Sequence, residues 1–445
     1  ELETGPENPA RMTWNEGGRR DPKLMGANLA PDGTLEVHAV KPSRIGYLVD
    51  EMHRRVGLPF PNGVALPITT IVAMLYFVAI VSGVICLLPS LVKDLFAVRV
   101  GANLKRMWLD VHNLLGLFSL PFHVVIALST IVFAFHDEIY GLQDKLIYQD
   151  HIEQRWEDGE AHPDIDPAAP LLPVTRLLAE LKRQAPDFVP AQLSFHRAPP
   201  DHGGHMELRV AGTDDRYAHR GAVYGFAGVD PTTGRVVETE MMPGRQDGPS
   251  ATLSSFFSLH FGSFGGAPVR WGYFLMGLSG TFLFYTGNLL WIESRRKRER
   301  RSSGPVTQSR QSFVLAALTV GVSLGAVIGL AASIAAAKLL AGHVADMEAW
   351  HIGVYYALFL AAIGWAFGRG AARAGGELLY AAAAATLLIP VSTLTGWSHP
   401  GASRLVDWVA LALAGGLVLL ANRSRRRARG GQHDSVWHAG VASEA

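Results

Sequence analysis

His112 and His123 stand eleven residues apart in a stretch almost free of other ionisable side chains. On one straight helix they fall within roughly 20° of the same face and about 16 Å apart along the axis. Ionisable groups inside a membrane span are costly and usually functional. Neutral imidazole carries no formal charge into lipid, and histidine is a common axial ligand of haem iron. The separation suits two stacked haems, one near each half of a bilayer. The competing reading puts His112 at the interface and gives His123 a hydrogen bond to a neighbouring helix.

Other histidines fall at the ends of apolar runs. His260 lies between Phe257 and Phe261 and is followed by Gly262, Gly265 and Gly266. Those glycines permit close approach of a helix or a planar cofactor, so His260 is a candidate for haem ligation or for the electron exit. His136 precedes Asp137 and Glu138, which equally suits a solvated helix end, and His351 opens a later apolar run. His53, beside Met52 and Arg54, is the last candidate of this set.

Such residues need membrane helices to position them. The chain of 445 residues is 49% apolar and 18% charged, but these averages mix long uncharged stretches with a polar segment from Gln143 to Gln246. A span needs about 20 largely apolar residues. Seven runs qualify: Val64–Val92, Leu114–Phe135, Trp271–Trp291, Phe313–Leu340, Ile352–Phe367, Leu378–Leu394 and Leu405–Leu420. Basic clusters at Lys93–Arg106, Arg295–Arg301, Arg369–Arg373 and Arg423–Arg429 occupy every second connection. By the positive-inside rule these face the cytoplasm, as does the C-terminus, and the segment from His136 to Val269 faces the other side. Trp271, Tyr273, Trp291 and Trp350 fit interfacial belts, and Arg295–Arg301 reads as a topology determinant beside anionic lipid or as a docking site for an electron donor.

The expected organisation is mainly α, a polytopic helical bundle with an extracytoplasmic α+β insert. Residues 1–63 form an extracytoplasmic segment, 64–135 two spans, 136–269 the insert and 270–292 a span. Residues 293–311 form a basic cytoplasmic loop, 312–421 four further spans and 422–445 a cytoplasmic tail. An odd number of spans puts the N-terminus outside, so a cleaved leader or a further helix before Glu1 is expected. The net charge of +1 gives no reason to expect a nucleic-acid partner. The single cysteine, Cys86, excludes an internal disulfide framework and any Cys-rich zinc or iron–sulfur site.

Within the insert, Pro173–Gln184 reads as an amphipathic helix with Leu177, Leu178 and Leu181 on one face. Strands are expected at Ala191–His196, Met206–Val210, Ala222–Gly228 and Arg235–Glu240, with a turn at Asp230–Gly234. His196, His202, His205 and His219 invite a metal reading, but the flexible, carboxylate-poor His202–His205 segment does not specify a site alone.

The helix, the strands and the run Tyr224 to Val237 (YGFAGVDPTTGRVV) resemble a PepSY domain. Val111 to Gly141 and Leu259 to Trp291 resemble the helices of PepSY-associated transmembrane proteins, over roughly residues 40 to 300 in all. Members resembling this layout are iron-regulated inner-membrane proteins of bacteria, some of them haem-containing reductases of ferric siderophores. The resemblance implies two b-type haems, with His112 and His123 as ligands, and a first helix, ahead of Glu1, able to supply a further one.

No Gly-rich dinucleotide fingerprint follows a strand and no phosphate-binding loop is present, so no flavin or nicotinamide site is expected. Electrons must then come from quinol or a separate cytoplasmic donor. Three functions remain: a haem protein reducing an external ferric siderophore or chelate, a non-enzymatic PepSY-type binding or regulatory protein, and a transporter of iron chelate or peptide. The last is the least supported, since no pair of broken mid-membrane helices is evident.

Overall fold

The computed structural model describes residues 1–4, 12–16, 23–30, 32–40, 44–91, 104–148, 169–198, 204–301, 308–340, 343–394 and 404–440. Among these, six helices are long and apolar enough to cross a membrane, and a bent pair raises the number to seven. Among the described α-helices, we label Ile45–Arg54 α1, Asn62–Leu87 α2, Leu104–Phe118 α3, Leu120–Ala134 α4, His136–Gln143 α5 and Val174–Gln184 α6. Gly248–Phe261 is α7, Gly266–Arg301 α8, Arg310–Leu339 α9, Met347–Arg369 α10, Ala371–Leu394 α11 and Arg404–Gly430 α12.

All seven expected runs coincide with helices, but the second is not straight. The α3–α4 pair bends by 65° at Ser119. Pro121 stands just past the break, and its ring and missing N–H disfavour an uninterrupted helix there. The shared-face arithmetic for His112 and His123 therefore fails, because each lies on a different arm.

The chain divides into two compact units, Glu1–Val40 with Thr70–Gly83 and Leu120–Leu278, and Lys41–Thr69 with Val84–Ser119 and Ser279–Ala445. The first holds an antiparallel sheet of eight strands: β1 Leu2–Glu3, β2 Met12–Glu16, β3 Lys23–Leu29, β4 Leu35–Ala39, β5 Val189–Arg197, β6 Met206–Thr213, β7 Gly225–Val229 and β8 Val236–Glu238. Its order is β4-β3-β2-β1-β5-β6-β7-β8, so the N-terminal segment supplies half the sheet, joined where Leu2 pairs with Leu193. One continuous sheet joins the described N-terminal strands to those of the insert.

The α6 helix closes the insert. Leu177 and Leu181, one turn apart, bury against Leu193, Leu208, Val210, Ala227 and Val229 from alternate positions of the central strands. At the β7–β8 turn Asp230 accepts hydrogen bonds from the Thr232 amide (2.8 Å), the Thr232 hydroxyl (2.7 Å) and the Thr233 hydroxyl (2.5 Å). Partial burial pushes its carboxyl upward, but these hydrogen bonds win and hold it below the usual range.

In the second unit α9, α11 and α12 pack through alanines, and α10 lies against α9. The close approach comes from a stripe of Gly321, Gly325 and Gly329 on α9. A Cβ there would lie 2.8 Å from Ile363 Cα, 3.0 Å from the Phe359 carbonyl and 2.8 Å from the Tyr355 ring. Lys338 Nζ on α9 reaches Thr393 Oγ1 on α11 (2.6 Å) and Asp407 Oδ1 on α12 (3.3 Å). At the other end Arg296, 4% exposed, hydrogen-bonds Glu293 (2.9 Å) and Asp434 (2.8 Å), while Arg295 lies over the Trp291 ring. These two arginines are used within the protein; the side chains of residues 297–301 lie outside the described set.

Candidate functional site

Three of the candidate histidines share one arrangement: each has Nδ1 against a hydroxyl of another helix. His123, in the first turn of α4, is 4% exposed, and its Nδ1 lies 2.6 Å from the Tyr76 hydroxyl on α2. Phe122 and Tyr76 meet the imidazole edge-on at 5.2 and 5.9 Å. Its Nε2 is buried with no hydrogen-bond partner among the described residues. A buried polar atom in that state costs about 1–3 kcal/mol.

His260 lies in the last turn of α7. Its Nδ1 is 2.9 Å from Ser129 Oγ on α4, and Phe133 meets the ring at 5.0 Å. Ser129 directs its single proton to the Val125 carbonyl (2.7 Å), so its oxygen accepts from His260. With the Ser129 proton on that carbonyl, Nδ1 carries the hydrogen of this contact.

The same logic holds at His112. Its Nδ1 lies 2.9 Å from Thr286 Oγ1, and Thr286 donates to the Phe282 carbonyl (2.8 Å). Nδ1 therefore donates to Thr286, and the ring also hydrogen-bonds the Leu283 backbone. Gly287 stands beside this ring, where a Cβ would lie 3.8 Å from His112 Cε1.

The remaining candidates lie in other settings. His136 is exposed and its Nδ1 donates to the Phe133 carbonyl (2.7 Å), as a solvated helix end requires. His53 is exposed in the last turn of α1. His351 is 1% exposed, on α10, where its carbonyl accepts from Ser333 Oγ (3.5 Å). In the insert His196 is exposed, His205 is buried with Nε2 3.8 Å from Glu207, and His219 is buried. His202 lies outside the described residues. Among the described residues no group of three or more His, Cys, Asp or Glu is placed to hold a metal ion.

Tyr76, Ser129 and Thr286 were not singled out from sequence. For Ser129 and Thr286 the available signal was a lone hydroxyl in an apolar helix, which ordinarily bonds its own carbonyl four residues back, and Tyr76 reads as an aromatic ring in an apolar run. Nothing in the linear pattern pairs it with a particular histidine.

Residues 8–294 match the PepSY-associated TM region. The chain belongs to that family. The match runs from the N-terminal strands through the insert and into α8, and so covers His112, His123, His260 and all three tethering hydroxyls. The four C-terminal helices of this PepSY-associated protein, with His351 on α10, lie beyond it. Neither a curated protein nor a solved structure gives a match.

Proposed function

We propose that this chain is an inner-membrane b-type haem protein that passes electrons to a ferric siderophore or chelate on the extracytoplasmic side. The observation that carries the reading is the buried Nε2 of His123, left without a partner while Tyr76 holds Nδ1. His123, through its unpartnered Nε2, and with it His112 and His260 are the residues that would hold the cofactor. Tyr76, Thr286 and Ser129 would fix ring orientation, as outer hydrogen bonds do for metal-bound imidazoles. Haem iron, when bound, supplies a one-electron couple tuned by its axial ligands and pocket. The porphyrin provides most of the coordination sphere, so one or two imidazoles suffice and a three-residue protein cluster is not required.

In this reading the sheet faces the periplasm and the basic connections and C-terminus face the cytoplasm. Each ferric ion takes one electron, and quinol or a separate cytoplasmic reductase supplies it. Ferrous iron binds hard oxygen donors less tightly than ferric iron, so reduction releases the metal.

A second reading has its own observation. Strand β4 is exposed along its length at the edge of the sheet, an open template for adding a partner strand. The protein is then a PepSY-type binding module whose histidines only tie helices together. Visible spectra before and after dithionite, with a pyridine haemochrome assay, separate the two. Reducible b-type bands support the first reading, and a colourless protein from haem-replete cells supports the second.

A further inference from the structure

We infer that the β6–β7 loop carries an anion-binding corner, built by His219 and Arg220, that takes the carboxylate or catecholate oxygens of a ligand. His219 is 6% exposed, and both its ring nitrogens are buried without a hydrogen-bond partner among the described residues. Arg220 beside it is half-buried, its guanidinium carbon 4.4 Å from the centre of the Phe257 ring, and no carboxylate pairs with it among the described residues. Arg216 in the same loop is the contrast, paired with Asp187 (2.7 Å) and Asp214 (3.0 Å). The one N–H of a neutral His219 ring and the N–H fork of the next residue's guanidinium are the donors that an oxyanion would meet.

The corner is rigidly made. The Gly221 amide donates to the Tyr224 carbonyl (3.0 Å), and a Cβ on Gly221 would stand 2.7 Å from that oxygen. The Tyr217 ring covers Gly244 so closely that a Cβ there would lie 2.7 Å away. Asp214 and Tyr140 are the other ionisable groups within electrostatic reach, and Arg216 occupies the Asp214 carboxylate. Phe257 is three residues before His260 on α7, and Phe133 touches both rings, at 4.5 and 5.0 Å. An anion on Arg220 is thus one aromatic layer from His260.

Two sources fit this chemistry: an anionic ferric chelate arriving from outside, or the carboxylates of a bound haem. Both rest on the reading above, but redox-inert gallium separates the corner from electron transfer. The full chain in nanodiscs is titrated with gallium(III) citrate and gallium(III) tris-catecholate, with a neutral gallium tris-hydroxamate as control, and haem content is measured in parallel. Saturable binding of the anionic chelates is expected, weakened about tenfold by Arg220→Gln or His219→Gln and restored by Arg220→Lys. Lost haem with unchanged gallium affinity in those variants assigns the corner to haem carboxylates. Gallium binding without any chelate reduction sinks the reductase reading and leaves the corner standing. Unchanged affinity and unchanged haem in folded variants overturn it, and His219→Gln alone decides if Arg220→Gln does not fold.

Discussion

The Tyr76 hydroxyl on α2 stands 2.6 Å from Nδ1 of His123 on α4, so one span orients the imidazole of another. Replacing Tyr76 by Phe removes the tether and leaves the ring volume. Outer hydrogen bonds to metal-bound histidine are worth roughly 10–100-fold in affinity. Tyr76→Phe is expected to retain haem more weakly than wild type on titration with apomyoglobin as acceptor, while keeping its helix content. Unchanged retention would remove the tether from the account.

Ser129→Ala and Thr286→Val test the tautomer argument. Each deletes the acceptor that keeps a proton on Nδ1 of His260 or His112. Nitrogen NMR of histidine-labelled protein should show the Nδ1–H form in wild type and a mixture in each variant. A wild-type protein in the Nε2–H form at these rings contradicts the assignment.

Packing in the C-terminal helices rests on absent side chains. Gly325→Leu on α9 forces its side chain toward the Phe359 carbonyl, which stands 3.0 Å from where a Cβ would begin. Overpacking of this kind costs about 1–3 kcal/mol. Thermal unfolding in detergent should fall accordingly, and Gly353→Leu, at a glycine with nothing within 4 Å of its Cβ position, should not lower it.

The pair Lys338–Asp407 predicts a non-additive response. Their side chains are 12% and 19% exposed, so removing one partner strands a charge at a cost of about 3–5 kcal/mol. Lys338→Met or Asp407→Leu alone should destabilise the bundle, and the double variant should recover most of the loss. Equal, additive losses measured in a double-mutant cycle would reduce the pair to a surface contact.

Acid should loosen the insert. The Arg216 guanidinium bonded to Asp214 holds its carboxyl below the usual range, as the threonine hydroxyls do for Asp230. Unfolded aspartate titrates near about 3.9, so these contributions are complete above that pH. They are lost as pH falls below it through the lower folded values. Hydrogen exchange of β6–β8 in the full chain should rise over that window, and Asp230→Asn should flatten the rise. An unaltered pH profile in Asp230→Asn would show that its carboxylate does not carry the effect.

Every membrane run was legible in the sequence because hydropathy over about 20 residues is a strong signal. So were α6 and the strands of the insert, where Leu177 and Leu181 or alternating Leu208 and Val210 announce their period. The N-terminal strands were not. Met12–Glu16 and Leu35–Ala39 are short and half polar, and their local meander is tied to the insert only where Leu2 and Glu3 pair with Leu193 and Gln192. The break at Ser119 was missed because hydropathy does not register a bend. Among the site residues the histidines could be named, but their partners lie 47, 131 and 174 residues away along the chain, a relation that only folding reveals.

The central claim is that the buried Nε2 of His123, with His112 and His260, holds haem, and the direct measurement is haem per chain in His123→Ala, His112→Ala and His260→Ala beside wild type. Pyridine haemochrome quantification on monodisperse protein is predicted to give b-type haem in wild type and a loss of about one haem per chain in His123→Ala, with retention in the exposed His136→Ala control. Wild-type protein without haem from haem-replete cells, or full haem content in His123→Ala, would contradict it.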